Sequence, residues 1–227
     1  MENKIIADIR LFKSDSQNEY GGYNTESFGD KKLNAIVHRI VMKLREENFS
    51  FGNFDHLYIN FTICDVSENI KLSDNVDRYH PWYRYCDIHI DDKSFQKLGN
   101  SEALDDIIHW LSTVLVTCFS SETFNESDIL SCIHQAVEQG ENMAMEFKEK
   151  ITAKRKAVIY LRFLDSCKYY PLLKVFDKED NLLFKTDLPK TIELDYLGNI
   201  QVSEKRVTIK PRKNALTTNI NPMIFDY

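Results

Sequence analysis

The sequence predicts an α+β protein: a mixed helix and strand domain in residues 1–150, with amphipathic helices packed on a sheet, then an antiparallel β meander in residues 151–227. Apolar residues recur at a 3.6-residue period in three stretches before residue 150, and at period two in the runs between them. From Ala157 onward only short β-rich runs separated by turn signals remain.

Residues 5–12 alternate weakly and read as a strand. The polar stretch after them, around Tyr20-Gly21-Gly22-Tyr23, reads as an exposed loop whose two tyrosines are placed to face a partner. Leu33, Ile36, Val37, Ile40, Val41 and Leu44 then form one stripe of a helix over residues 31–47, with Asp30 as its N-cap. Leu57, Ile59, Phe61 and Ile63 alternate with Tyr58, Asn60 and Thr62 in a half-buried strand. A second strand over residues 82–90 sets Arg84, Cys86, Ile88 and Ile90 against Tyr83, Tyr85, Asp87 and His89. The polar segment 65–81 between these strands is long enough to suggest a functional or mobile connection.

Ser101 is the expected N-cap of a helix carrying Leu104, Ile107, Ile108, Leu111, Val114, Leu115 and Cys118. Glu102, Asp105 and Asp106 fall in its first turn, where the dipole favours negative charge. Ile129, Ile133, Ala136, Val137, Met143 and Phe147 predict a further helix running to about Lys150, with Gly140 as its weak point. Beyond it, residues 158–164, 171–176, 182–186, 191–196, 200–202 and 206–209 read as strands. The end of the chain, Met223-Ile224-Phe225-Asp226-Tyr227, reads as a segment that docks or stays loose.

Composition narrows the function. With 227 residues, 43% hydrophobic and 28% charged, the chain can bury a sizeable core, and 14 Phe and 11 Tyr supply bulk for that core or an interface. Only 7 Gly and 5 Pro leave no glycine-rich phosphate loop, and no GxSxG, Walker, HExxH or GxGxxG pattern occurs. A catalytic set is therefore not expected, nor a cofactor or a metal. The five cysteines have no framework spacing and read as reduced thiols, and the polar start Glu2-Asn3-Lys4 gives no signal peptide. No window approaches a membrane span, so the expected location is the cytoplasm, away from membranes.

Charge is unevenly distributed: residues 1–150 hold 26 Asp and Glu against 15 Lys and Arg, and residues 151–227 hold 9 against 14. An acidic lobe attracts a basic partner. The basic cations at 150–156 and 205–213 are interleaved with aromatic residues, but the acidic lobe disfavours nucleic acid, and internal docking of the basic sheet is the alternative use. The densest side-chain cluster is Arg78-Tyr79-His80-Pro81-Trp82-Tyr83-Arg84-Tyr85, rich in the residue types that dominate binding hot spots. An aromatic strand packed on a helix, with guanidinium groups on ring faces, accounts for the same residues. The candidate partner-binding set is Asp65, Glu68, Asp74, Asp77, Tyr79, Trp82, Tyr83 and Tyr85. His89 with Asp87, Asp91 and Asp92 looks like a metal site on paper, although Asp91-Asp92 also reads as a strand end before a turn. Cys86 and His89 project to opposite strand faces and cannot act as nucleophile and base together.

The stretches Phe54-Asp55-His56-Leu57-Tyr58-Ile59-Asn60-Phe61-Thr62 and Trp82-Tyr83-Arg84-Tyr85-Cys86-Asp87-Ile88-His89-Ile90-Asp91, followed by Phe95 and the helix from Leu104 to Cys118, resemble the immunity proteins of bacterial polymorphic-toxin systems. The resemblance covers about a third of the chain and rests on a strand, loop, strand, helix rhythm. It implies a non-enzymatic cytosolic protein that binds and neutralises a cognate toxin, often a basic nuclease, through an acidic surface. No site residue carries over from it, and the basic C-terminal third lies outside its pattern. A hydrolase with an unfamiliar site and a structural or assembly component are the competing expectations.

Overall fold

A computed structural model describes residues 3–98, 103–164, 168–214, 217 and 219–227. Ser101 and Glu102, expected at a helix start, and Cys167 lie outside them. The fold is α+β, in two compact units, Met1–Gly140 and Glu141–Tyr227.

The first unit is built on a five-stranded sheet. Strands β1 (Asp8–Ser14), β3 (His56–Thr62) and β5 (Tyr83–His89) run parallel to one another in that spatial order. The two-residue β2 (Glu26–Ser27) and three-residue β4 (Ile70–Leu72) close the edges antiparallel, giving the order β2-β1-β3-β5-β4. Parallel neighbours need a crossover, and helix α1 (Lys31–Glu46) supplies the one from β1 to β3. It starts where expected: the Asp30 carboxylate accepts from the Leu33 N–H at 2.8 Å, and Leu33, Val37, Ile40, Val41 and Leu44 are buried.

Helix α2 (Asp92–Lys97) follows β5, and α3 (Leu104–Phe119) and α4 (Glu126–Gln139) complete the unit. The Asp91-Asp92 pair, read as a strand end before a turn, opens α2 instead. Asp91 accepts from the Ser94 N–H at 3.0 Å and caps this short helix. A capping box between Asn125 and Asp128 starts α4.

One face of the sheet forms the core, with Leu57, Ile59, Phe61, Cys86 and Ile88 buried. Phe61 meets the Trp110 ring of α3 at 5.5 Å. A chain of rings extends this core: Phe49 packs on Phe51 and Phe124, and Phe51 on Phe54 and Phe119. Arg84 is buried on the same face, its guanidinium 5.2 Å from the Phe54 ring and donating to the Pro81 and Tyr83 carbonyls.

The helix expected to reach Lys150 ends at Gln139. Gly140 takes φ +52°, outside the right-handed helical region, and a short 3-10 turn over Gly140–Asn142 leads to strand β6 (Met145–Ile151). Met143 and Phe147 matched the helical stripe only by coincidence of spacing. The polar segment 65–81 is also more ordered than its composition suggests, because β4 within it pairs with β5 at Ile70↔Ile88, Lys71↔Asp87 and Leu72↔Cys86.

The second unit contains two antiparallel meanders. Strands β6, β7 (Arg155–Arg162), β8 (Tyr170–Asp177) and β9 (Leu182–Asp187) follow one another in one sheet. Strands β10 (Asn199–Val202), β11 (Arg206–Lys210) and β12 (Met223–Asp226) form the other. The chain end is docked, as β12 on β11, with the Phe225 and Tyr227 rings against Phe184 of β9. Residues 191–196 are not a strand: Thr191 makes one bridge to Tyr169 and Leu194–Leu197 is a 3-10 turn. Gly198, just after this turn, is required by a close approach, since a Cβ there would stand 2.3 Å from the Arg212 nitrogen.

Phe49 joins the α1–β3 connection to the start of α4 and is almost wholly enclosed. Phe49→Ala is expected to lower unfolding free energy by about 3–5 kcal/mol in a urea titration followed by circular dichroism.

Candidate functional site

The second face of the five-stranded sheet carries different chemistry. Register places Arg10, Tyr58 and Tyr85 in one cross-strand row, Phe12, Asn60 and Asp87 in the next, and Asp8, His56 and Tyr83 in the row on the other side. Tyr58 and Tyr83 stack with ring centres 4.7 Å apart, and Tyr85 sits edge-on to both. Phe12 lies against Tyr58 and Tyr85, so four rings make one platform. Arg10 lies over the Tyr58 ring at 5.4 Å while its Nε donates to Asp8 at 2.8 Å.

Two loops rise over this platform. In the first, residues 15–25, the Asn18 side-chain oxygen accepts from the Tyr20 and Gly22 N–H groups at 3.0 Å, and Gly21 adopts φ +78°. The bridge between Gln17 and Tyr23 closes this turn, and the Tyr23 hydroxyl donates to the Asp65 carbonyl at 3.4 Å. In the second, the Asp77 carboxylate accepts from the Tyr79 and His80 N–H groups at 2.7 and 2.8 Å and from the Tyr83 hydroxyl at 3.3 Å. Those N–H donors hold the Asp77 carboxyl below the usual carboxylate range, so it stays ionised.

Between the loops and the sheet lies a cleft of about 760 Å³. Tyr20, Tyr23, Tyr83 and Tyr85 line it together with Asp74, Asp77 and Asp87, the neutral polar groups of Asn18, Ser73 and Asn75, and one cation, Lys71. Asp87 is the least exposed of the carboxylates. Burial pushes its carboxyl up from the usual value, against the opposing pull of the Asn60 amide, which donates to it at 2.8 Å, and of the charge on Lys71. Asn60 is 0% exposed, and its carbonyl oxygen has no hydrogen-bond partner among the described residues.

The candidate residues from the sequence divide into two groups. Asp74, Asp77, Tyr83 and Tyr85 line the cleft. Tyr79 and Trp82 are exposed, with Trp82 edge-on to His80 at 4.9 Å, while Asp65 and Glu68 lie exposed in the connection from β3 to β4. Lys71 and Asp87 complete the lining without having been candidates for partner binding, and Asn60 lies buried beside Asp87. Their signal was positional, since both Asn60 and Asp87 fall on the polar side of an alternating strand.

The His89 and Asp91 of the paper metal site are engaged elsewhere. His89 Nδ1 donates to the Cys64 carbonyl at 3.0 Å, and Asp91 caps α2. Cys86 is on the core face beside Cys118, whose thiol, together with burial, pushes the Cys86 thiol up and keeps it protonated. No family model, no curated protein and no solved structure matches the chain.

Because the folded-state value of Asp87 is raised, its contribution to stability is fully present below the usual carboxylate value of 3.8 and is lost as pH rises through the folded value. Asp87→Asn removes that titration while keeping an acceptor for the Asn60 amide. Its stability relative to the parent chain is therefore expected to increase between pH 4 and pH 7 in urea titrations, whereas a constant difference would place the carboxylate in a solvated environment.

Proposed function

We propose that the chain is a non-enzymatic, cytoplasmic protein-binding protein of the immunity type, which binds a cognate bacterial toxin through the acidic and aromatic surface around the cleft. The observation supporting this reading is the exposure of large apolar groups where the charge is negative. Tyr20 is 89% exposed, Tyr79 78%, Val76 53% and Trp82 38%, and Asp74 and Asp77 stand among them. Aromatic side chains of this kind supply the buried anchors of interfaces, and the carboxylates steer a basic partner into register. A basic nuclease fits that chemistry, with the carboxylates taking the place of substrate phosphates on the toxin surface.

The expected mechanism divides the work between the two kinds of residue. Asp65, Glu68, Asp74 and Asp77 accelerate encounter over a Debye length of roughly 10 Å at 0.1 M salt. Tyr79, Trp82, Tyr83 and Tyr85 slow dissociation by burying ring area.

The test uses the product of the gene adjacent to this one. Cells expressing that product are expected to die unless this chain is co-expressed, and Trp82→Ala with Tyr79→Ala is expected to abolish protection while leaving the thermal unfolding temperature unchanged. Toxicity that this chain does not relieve removes the reading. With the purified pair, Asp74→Lys and Asp77→Lys together are expected to lower the association rate about tenfold or more at low salt, with the deficit shrinking as salt is added. An unchanged association rate would take the 73–77 loop out of the interface.

A further inference from the structure

We propose that the chain forms a two-fold dimer through the outer face of the β6-β7-β8-β9 sheet, packed face to face against the same sheet of a second copy. The proposal concerns the second unit alone and stands apart from the protein-binding reading above.

The sheet has two unlike faces. On one, Ala157, Ile159, Leu161, Leu173 and Val175 are buried, Phe184 meets Phe225, and Lys148 donates to the Leu197 and Gly198 carbonyls. Register sets the other face in rows that cross all four strands. Ile151, Lys156, Phe176 and Leu182 make the first row, and Glu149, Val158, Lys174 and Lys185 the second. Val158, in the middle, is buried, and Lys174 lies across to the Tyr160 ring with its ammonium 4.8 Å from the ring centre. At the two edges large aliphatic groups stay in the open, with Ile151 59% exposed and Leu182 51%.

Two observations point to a second copy as the occupant. The first is a like-charged pair: Lys174 and Lys185 stand directly opposite each other on β8 and β9, which costs stability, and neither forms an ion pair with a described residue. The second is self-complementarity. A two-fold axis between the faces, parallel to the strands and midway between β7 and β8, keeps each row and reverses the strand order. Strand β6 then meets β9 of the second copy, and β7 meets β8. Ile151 packs on Leu182 of the second copy, Lys156 on its Phe176 ring, and Glu149 reaches its Lys185. In the next rows Tyr160 meets Leu172, and Arg162 meets the Tyr170 ring. The like-charged meeting of Glu146 with Asp187 falls where Arg162 already pairs with Asp187. Every contact occurs twice, and the copy supplies the carboxylate that Lys185 lacks in the single chain. A nucleic acid or an anionic membrane would answer the lysines but would set its own negative charge against Glu146 and Glu149. Four strands of about seven residues each present about 400–500 Å² per copy. That area is at the low end of specific interfaces, so a dissociation constant in the micromolar range is expected.

The test is analytical sedimentation of the full chain from about 1 to 200 µM, where a monomer–dimer equilibrium is expected. Lys185→Glu and Glu149→Lys, both changes at exposed side chains, are each expected to weaken the dimer about tenfold or more and to leave the circular dichroism spectrum unchanged. Mixing the two variants is expected to restore association. The mixed dimer holds one native pair, Glu149 with Lys185, and one pair of reversed sign, whereas each variant alone sets like charges together twice. Leu182→Ser, which changes no charge, is expected to weaken the dimer severalfold. A chain that stays monomeric at the highest concentration overturns the proposal, whether or not it then binds single-stranded DNA or anionic vesicles through the lysines. A dimer indifferent to both reversals, or two variants that fail to associate when mixed, overturns it as well.

Discussion

The parallel pairing of β3 with β1 on one side and β5 on the other is the constraint from which the first unit follows. A central parallel strand has neighbours along both edges and is normally covered on both faces. Here Leu57, Ile59 and Phe61 are sealed on one face, and Asn60 and Thr62 are just as fully enclosed on the other. An enclosed polar residue needs a partner within the sheet, and the cross-strand row that puts Asn60 opposite Asp87 provides one. A one-residue slip of β5 would exchange Asp87 for Cys86 or Ile88 and would turn Arg84 and the tyrosines to opposite faces. Register is therefore fixed jointly by the apolar core and by this one polar bond.

The two faces make unequal demands, and the difference produces the site. On the core face the helices bring aliphatic and aromatic groups, so packing alone closes the sheet. On the other face half-buried rings and two loops provide the cover. Loop ends secured by their own side chains, Asn18 in one and Asp77 in the other, keep a cleft open over a rigid floor. Rings fixed by stacking lose little side-chain freedom when a partner arrives, which favours their use as anchors.

Much of this arrangement is legible in the sequence, and the rest is absent for physical reasons. The α1 stripe with its Asp30 cap and the alternation through Leu57, Ile59 and Phe61 can be read directly, because local periodicity reports which side faces the core. The end of α4 cannot be placed by periodicity, since Met143 and Phe147 continue a helical spacing that Gly140 interrupts through its backbone angle. Strand β4 is only three residues long, too short for alternation to register. The pairing of Asn60 with Asp87 spans 27 residues and depends on how a connection folds, which no local pattern encodes. Asp74, Asp77, Tyr83 and Tyr85 were visible as candidates for the cleft, while the place of Asp87 in it was visible only as the polar side of a strand.

Charge shows how such a site can be distinguished from a merely acidic chain. Several cations of the second unit are used within it: Lys154 pairs with Glu204, Arg162 with Asp187, and Arg206 with Asp226. In the first unit several carboxylates are committed to helix starts, with Asp30, Asp91 and Asp128 bound to backbone N–H groups at the ends of α1, α2 and α4. Such carboxylates stabilise helices and have little potential left to project. Asp74 stands exposed beside the tyrosine rings, and Asp77, which accepts from two backbone N–H groups and lies 3.2 Å from His80 Nδ1, is held ionised there as well. A formal surplus of negative charge becomes a recognition surface only where the fold leaves carboxylates uncommitted next to groups worth burying, and in this chain both conditions meet on the second face of the β1-β3-β5 sheet.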